Sequence, residues 1–432
     1  MGFLLTNGQS LNLGNGASCI VGTFIGSGGQ GEVYKVNVGN ETYALKWYFS
    51  QQATSNQRKA IQSLVNKGSP SSSFLWPIDI VISEQDNSSF GYIMALRPAN
   101  YKSLFDLMKR KAEPSFDTLI TAAYNLADSF QKLHAKGLCY RDISHGNIFF
   151  NEKNGDVLIC DNDNVSVNNS ENNSVVGTPR FMAPEVVQAE ASPNADTDLF
   201  SLATLLFYML FISHPLEGEL EAKIRCFDQP AMNLLYGKNP IFIFDPNNSS
   251  NRPVKGYHDN AIIYWDIYPD FLKNLFIKAF TEGLDPIKRV RESEWKKILI
   301  QLRDSIIICS CSAENFSHLS PLINHSCWAC KKSLPEGMRL EFGQRKFVIL
   351  NTQTKLYPHH LDPSRAYDFS EEWATLSQHP QDPNIWGLKN LSPNVWKTTP
   401  LHGEMKPVEN GRSVVLAKQT KVEFGQTEAT IF

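Results

Sequence analysis

The chain has 432 residues, 42% of them hydrophobic and 11% aromatic, enough to bury cores for more than one domain, which excludes wholesale disorder. A formal net charge of −3 leaves no basic footprint for nucleic acid or an anionic membrane surface. The start, "MGFLLTNGQS", lacks the basic and apolar regions of a secretory signal, and the longest nearly apolar run, Leu199 to Ile212, is too short to span a bilayer, so a cytoplasmic protein is expected.

Residues 18 to about 98 read as strand-rich. "CIVGTFIGSGG", "GEVYKVNVG" and "ETYALKWYF" alternate with the period of two that strands require. One helix interrupts them, "TSNQRKAIQSLVNKG", with Thr54 as cap, Gln57 at the capping-box position and Gly68 as stop. From about 99 to 303 the pattern is mostly helical, with short strands near 148 and 157. The expectation is an α+β protein with a small sheet-rich lobe at about 18–96 joined to a larger helical lobe at 97–304. The Asn/Ser-rich stretches 162–174 and 246–251 read as mobile loops. A Cys-bounded segment, 305–335, follows. Residues 336–432 then hold "FVIL", "TKLYPHHL", "NIWGLKNLS", "SVVLAK" and "TKVEFG", short runs that predict a small β-sandwich serving as an interaction domain.

The chemistry is concentrated in the first of these regions. "IGSGGQGEVYKV" contains Gly26-x-Gly28-x-x-Gly31-x-Val33, a spacing that lets backbone amides approach phosphate oxygens without Cβ clashes. Dinucleotide-binding folds share it, but they open a helix at the third glycine, and "GEVYKV" is strand-like. The plain alternative is a Gly-rich hairpin beside a surface lysine. Lys46 follows in "YALKWY". Further on, "CYRDISHGNIFF" places Asp142 five residues before Asn147 and a strand, and "LICDNDNV" puts Asp161 at another strand end. "GTPRFMAPE" (Gly177 to Glu185), "DTDLFSLATLLFYML" with Asp198, and "DPIKRVRESEW" with Arg289 complete the series.

In this order the motifs resemble the eukaryotic-type protein kinase family over roughly residues 18–303. The resemblance implies a bilobal kinase fold and ATP- and Mg²⁺-dependent phosphoryl transfer to protein Ser/Thr hydroxyls, with Mn²⁺ as an alternative ion. It implies that Gly26, Gly28 and Gly31 cover the ATP phosphates, that Val33 lies over the adenine, that Ala44 also binds ATP, and that Met94, Ala95 and Leu96 form the hinge, with Met94 as gatekeeper. Lys46 would bind the α- and β-phosphates, Asp142 would take the substrate hydroxyl proton, and Asn147 and Asp161 would hold Mg²⁺. Thr178 would bond Asp142 through its hydroxyl. Glu185 and Arg289 would form a buried pair, and Asp198 would brace the "YRD" turn. Ser166, Ser170 and Ser174 are autophosphorylation candidates or plain loop residues.

The sequence also departs from the family. No Glu lies between Lys46 and Phe74, so the helix partner of that lysine is missing, and Gln57 or Gln62 offers only a neutral hydrogen bond. Asn162 and Asp163 replace Phe-Gly after Asp161, Tyr140 replaces a His, and Ser144 replaces a Lys. The lysine, base and both metal ligands survive, which favours an active enzyme over the rival reading, a nucleotide-binding pseudokinase scaffold that assembles a complex. "FLWPIDIV", "GYIMAL" and Asp-Asn-Asp are similar to a divergent bacterial kinase group found in tellurite- and stress-response clusters, which implies a PP2C-type phosphatase and a von Willebrand A domain protein as partners.

Finally, "CSCSAENFSHLSPLINHSCWAC" spaces Cys309, Cys311, Cys327 and Cys330 as C-x-C-x15-C-x2-C, two close pairs that can present four thiolates to a structural zinc. A pair of disulfides is the alternative, and His318 and His325 are spare candidates that read as loop residues rather than ligands. "GLKNLS" and "VENGRSVVLAKQTKVEFG" are similar to the closing strands of a forkhead-associated domain, although the phosphothreonine-binding residues of that family are not found.

Overall fold

A computed structural model describes residues 3–83, 89–168, 177–317, 326–343 and 346–432. Ser170, Ser174, His318 and His325 lie outside the described residues. The chain divides into two compact units, Met1–Asp266 with Phe271–Leu299, and Ile267–Asp270 with Ile300–Phe432.

The first unit opens with β1 (Ser10–Leu13), β2 (Ser18–Ser27), β3 (Gly31–Val38), β4 (Glu41–Tyr48), β5 (Asp79–Ile82) and β6 (Phe90–Ala95). They run in the order β1-β2-β3-β4-β6-β5 and close as a barrel because β5 returns to β1. The small lobe therefore starts at Ser10, ahead of the expected 18. Alternation sets its core: Tyr34 and Val36 of β3 turn inward onto Val21, Leu45 and Ile93, while Lys35 and Asn37 face water. Gly31 and Gly91 are demanded by packing, since a Cβ there would sit 2.2 Å from the Trp47 carbonyl oxygen and 2.3 Å from that of Lys46 respectively. Helix α1 (Ser55–Lys67) is capped by Thr54, whose hydroxyl accepts the Gln57 N–H at 3.1 Å, and it stops at Gly68 with φ of 68°. The Gln57 side chain does not close the predicted capping box; it points to Tyr48 and Asp163.

The larger lobe holds β7 (Tyr101–Ser103), α2 (Leu104–Met108), α3 (Phe116–Ala135), β8 (Leu138–Cys139), β9 (Ile148–Asn151), β10 (Val157–Ile159), β11 (Ser166–Val167), α4 (Pro184–Val187) and α5 (Ala195–Phe211). Helices α6 (Glu219–Ala222), α7 (Gln229–Met232), α8 (Asp259–Ile267), α9 (Asp270–Phe280) and α10 (Glu292–Asp304) follow. The apolar run after Leu199 is helix α5, buried from Thr197 to Phe211, which is why it is apolar on every side. Among the described residues no helix is long and apolar enough to cross a membrane. The stretch 246–251 holds no helix or strand, and it ends in Asn251, which is fully buried and whose amide donates to the carbonyls of Leu216 (2.9 Å) and Ile241 (2.7 Å).

The second unit begins with the hairpin β12 (Ile306–Ile308) and β13 (Glu314–Phe316), which carries the first cysteine pair. Its sandwich consists of β14 (Met338–Phe342), β15 (Lys346–Leu350), β16 (Lys355–Leu356), β17 (Ala374–Gln378), β18 (Trp386–Asn390), β19 (Trp396–Thr399), β20 (Lys406–Val408), β21 (Ser413–Val415), β22 (Lys421–Glu423) and β23 (Glu428–Ile431). These form one sheet ordered β15-β14-β23-β22-β19-β20 and another ordered β16-β17-β18-β21, around Leu340, Leu356, Leu388, Trp396 and Val422. The cysteine hairpin shares an apolar cluster with it through Ile307, Phe347 and Ile349. Only Lys355–Leu356 of the predicted run "TKLYPHHL" is strand; Pro358 at the first helical position turns the histidines into α11 (Pro358–Leu361).

Candidate active site

Between the Gly-rich turn and the strand ends of the larger lobe lies a cleft of about 520 Å³, within the size range of small-molecule sites. Its wall includes Gly26, Gly28, Gly31, Val33, Ala44, Lys46, Met94, Ala95, Leu96, Asp142 and Asp161. A Cβ at Gly26, Gly28 or Gly29 would meet nothing within 4 Å, so the protein's own packing does not require glycine there. What their bareness provides is open backbone over the cleft, the condition for amides to reach an anionic group. Ala44 on β4 pairs across to Met94 on β6, and both are buried.

Lys46 is itself buried, and its ammonium meets Asp161 at 3.3 Å, Asp163 at 2.9 Å and the Gln30 side-chain oxygen at 2.9 Å. Burial would lower its pKa, but the charges of Asp163 and then Asp161 outweigh that and raise it, so the side chain is held as a cation. Gln30, from the Gly-rich turn, also donates to Asn164 at 3.0 Å. Neither Gln57 nor Gln62 is placed on the lysine: Gln57 donates to the Tyr48 hydroxyl (3.2 Å) and the Asp163 carbonyl (3.4 Å), and Gln62 to Asn66.

Asp142 follows Arg141, whose φ of 74° is a left-handed conformation that costs a non-glycine residue on the order of 1–3 kcal/mol. Asp198 of α5 holds that turn by accepting the N–H groups of Tyr140 (2.6 Å) and Arg141 (2.9 Å). Asp142 itself accepts the Thr178 hydroxyl at 2.7 Å and the Asn147 amide at 3.2 Å. Its pKa is raised: burial pushes it up, and the hydrogen bonds from Thr178 and Asn147 offset only part of that. Asn147 is buried beside Asp142. Its nitrogen is committed to Asp142, which leaves Oδ1 as the atom available to a cation.

Asp161 has φ of 49°, and the short turn Asn162–Asn164 follows it. Asn162, at the position of the family's apolar plug, is a polar plug: it is fully buried and donates to the carbonyls of Leu75 (2.9 Å) and Ile159 (2.8 Å). Tyr140, where the family has His, is fully buried and donates its hydroxyl to the Cys160 carbonyl. Glu185 and Arg289 meet through Nη2 at 2.7 Å to each carboxylate oxygen, and Arg289 also donates to the Asp196 carbonyl at 2.8 Å. Ser166 lies on β11 against Cys139 of β8.

Sequence reasoning missed three contributors. Asp163 was legible only as a departure, although a carboxylate two residues past Asp161, in a chain lacking the helix Glu, was a usable signal. Tyr48, which donates to Asp163 at 2.6 Å, looks like any strand aromatic. His134 bridges Asp198 (3.1 Å) and Glu292 inside the larger lobe and had no motif to announce it.

The four clustered cysteines are free thiols whose sulfurs lie within 4.8 Å of one another. Cys309 and Cys330 are 3.6 Å apart, and Cys311 and Cys327 are 3.7 Å apart. A tetrahedral ion with metal–sulfur bonds of about 2.3 Å needs sulfurs about 3.8 Å apart, so the set is compatible with such an ion. Burial pushes the Cys327 thiol up, yet N–H donors from Cys330, Asn315 and Ala329 overcome it and bring the pKa to about 6.

A sequence profile described as the protein kinase domain matches residues 20–255. The chain belongs to the protein kinase family, a family of phosphotransferase enzymes. It is 25% identical over 203 residues to "Probable serine/threonine-protein kinase CCRP1" of Zea mays, covering 45% of this chain and 32% of that one. It is 24% identical over 305 residues to "Protein kinase YegI" of Escherichia coli O157:H7, covering 68% and 46%. The chain thus spans about a third to a half of the length of these relatives.

Proposed function

We propose that the chain transfers the γ-phosphoryl group of ATP to Ser/Thr hydroxyls of a protein substrate. The observation that carries this reading is the meeting of Lys46, Asp142 and Asp161, from three separate segments, on one cleft roofed by the Gly-rich turn. Lys46 would anchor the nucleotide phosphates, and Asp142 would orient the acceptor hydroxyl and take its proton. Thr178 on Asp142 supports a Ser/Thr acceptor. Asp161, with a side chain 48% exposed toward the cleft, and Asn147 Oδ1 offer the oxygen ligands that suit Mg²⁺ or Mn²⁺. A divalent ion there would neutralise charge on the phosphates. Purified full-length protein should turn over ATP with Mg²⁺, and Lys46→Ala and Asp142→Ala should abolish the turnover. Equal behaviour of all three proteins would remove the enzyme reading in favour of a pseudokinase scaffold. Gln30 on Lys46 is the observation that favours that second reading.

We assign residues 1–304 to catalysis, 305–335 to a structural zinc module and 336–432 to a β-rich interaction domain resembling the forkhead-associated fold. The sulfur spacing supports zinc, and one equivalent per chain, lost in Cys327→Ser, is the expected assay result; a stably folded, metal-free protein would remove the module. A cytoplasmic bacterial signalling or stress-response setting, with a PP2C-type phosphatase and a von Willebrand A domain protein as partners, rests on the family resemblance. Pull-down of those two proteins by the full chain tests it.

A further inference from the structure

Lys46 lacks the helix carboxylate that its family relies on, and helix α1 cannot supply one, since no Asp or Glu occurs from Trp47 to Ser73. Two other carboxylates reach the ammonium, and they are not equivalent. The Asp161 side chain is 48% exposed and lines the cleft. The Asp163 side chain is 0% exposed and is not on the cleft wall. Asp161, left-handed at φ 49°, precedes the tight turn that carries Asp163, and the two side chains diverge: one lines the cleft and the other meets Lys46 and Tyr48 of β4.

Asp163 is committed on every side. Its Oδ1 and Oδ2 lie 3.0 and 2.9 Å from the Lys46 ammonium, and Oδ2 also accepts the Tyr48 hydroxyl at 2.6 Å. Helix α1 supports this arrangement through Gln57, which donates to the Tyr48 hydroxyl and to the Asp163 carbonyl. A carboxylate buried this completely needs a cation in contact, and Lys46 is that cation. Asp161 could turn to an incoming cation without leaving Lys46 unpaired.

We propose that Asp163 is the positioning residue for Lys46: it supplies, from the turn after Asp161, the anchoring carboxylate that helix α1 lacks, and leaves Asp161 to serve the cleft. The inference rests on the ATP-dependent reading of the same site. It also anchors Lys46 from the turn after β10 and not directly from helix α1, whose Gln57 reaches the lysine through Tyr48 and Asp163.

The test uses the full chain with Asp163→Asn, Tyr48→Phe and the double variant Asp163→Asn/Gln57→Glu, each checked for a wild-type thermal transition. ATP turnover onto a generic protein acceptor is resolved into kcat and KM, and the acylation rate of Lys46 is followed against pH by mass spectrometry. Asp163→Asn should lower kcat at least tenfold with a smaller change in KM for ATP, and should make Lys46 acylate at lower pH. Returning a carboxylate to the helix in the double variant should restore at least half of the logarithmic loss. Tyr48→Phe, which keeps the charge, should give a loss of a few fold, and it carries the test if Asp163→Asn does not fold. A folded Asp163→Asn with kcat within twofold of wild type and an unmoved Lys46 profile overturns the inference, as does an unchanged Tyr48→Phe beside an unfolded Asp163→Asn. A wild-type chain without ATP turnover overturns the functional reading itself, and this inference with it.

Discussion

Replacing His134 by Gln tests whether the larger lobe is braced by a buried charge. His134 lies on α3 with its side chain 12% exposed, and its two ring nitrogens face Asp198 and Glu292, which are 1% and 9% exposed. Burial would lower its pKa, but the hydrogen bonds and charges of Asp198 and Glu292 raise it from 6.5 to about 9. A folded pKa above the unfolded one stabilises the protonated state, so the contribution is complete below pH 6.5 and is lost as pH rises through about 9. At about 1.4 kcal/mol per unit, a displacement of this size corresponds to roughly 3 kcal/mol. Spread over a unit of this size, that is a shift of about 5 °C in the thermal midpoint. Calorimetry of wild type and His134→Gln from pH 6 to 10 should therefore show a gap that is widest at pH 6 and narrows by most of that shift before pH 9.5. Titration of lysines and tyrosines is common to both proteins and cancels. A gap that is constant with pH, or that widens toward pH 10, would refute a protonated His134 between two carboxylates.

Four further outcomes follow from the same geometry. As the base proposed above, Asp142 would have to be ionised to accept a proton, and its pKa is raised above the ordinary 3.8, so ATP turnover should fall with decreasing pH at a value above that of a free carboxylate. Thr178→Ala removes a hydrogen bond that lowers this pKa, and the acid limb of the kcat profile should move further up; a limb at or below 3.8 contradicts both statements. Asn162→Phe restores the family residue yet should destabilise the protein by about 1–3 kcal/mol, because the Leu75 carbonyl loses its donor, and a neutral or stabilising effect on the thermal midpoint would refute the polar-plug account. Arg289→Ala strands Glu185 beside α5 and should cost about 3–5 kcal/mol in urea denaturation followed by tryptophan fluorescence.

The parts of the site that depend on chain order were legible, because each motif carries its own local physics. A glycine spacing, a carboxylate at a strand end and a hydroxyl in "GTPRFMAPE" are visible one at a time. The parts that depend on distant segments meeting were not. Tyr48 and Asp163 are far apart in sequence and join only when β4 and the turn after β10 pack together. Gln57 fitted a capping box by spacing, and tertiary contacts took its side chain elsewhere. "TKLYPHHL" alternated like a strand until Pro358 fixed a helical start, and the stretch ending in Asn251 has loop composition although its amide is an interior brace.

The two departures that looked most damaging to catalysis, no Glu on helix α1 and Asp163 in place of a glycine, have a single physical explanation. Lys46 is buried, and a buried ammonium needs a carboxylate that stays when Asp161 is drawn toward ligand. Once Asp163 provides it, a Glu on α1 would place a third carboxylate on one ammonium in a low-dielectric site, a repulsion that exceeds the gain from another hydrogen bond. Gln57 is then the better helix residue, since its neutral amide can donate to Tyr48 and to the Asp163 backbone without adding charge. Glycine at 163 and glutamine at 57 would leave the lysine with Asp161 as its one carboxylate beside the neutral Gln30 oxygen, so the two positions are physically linked.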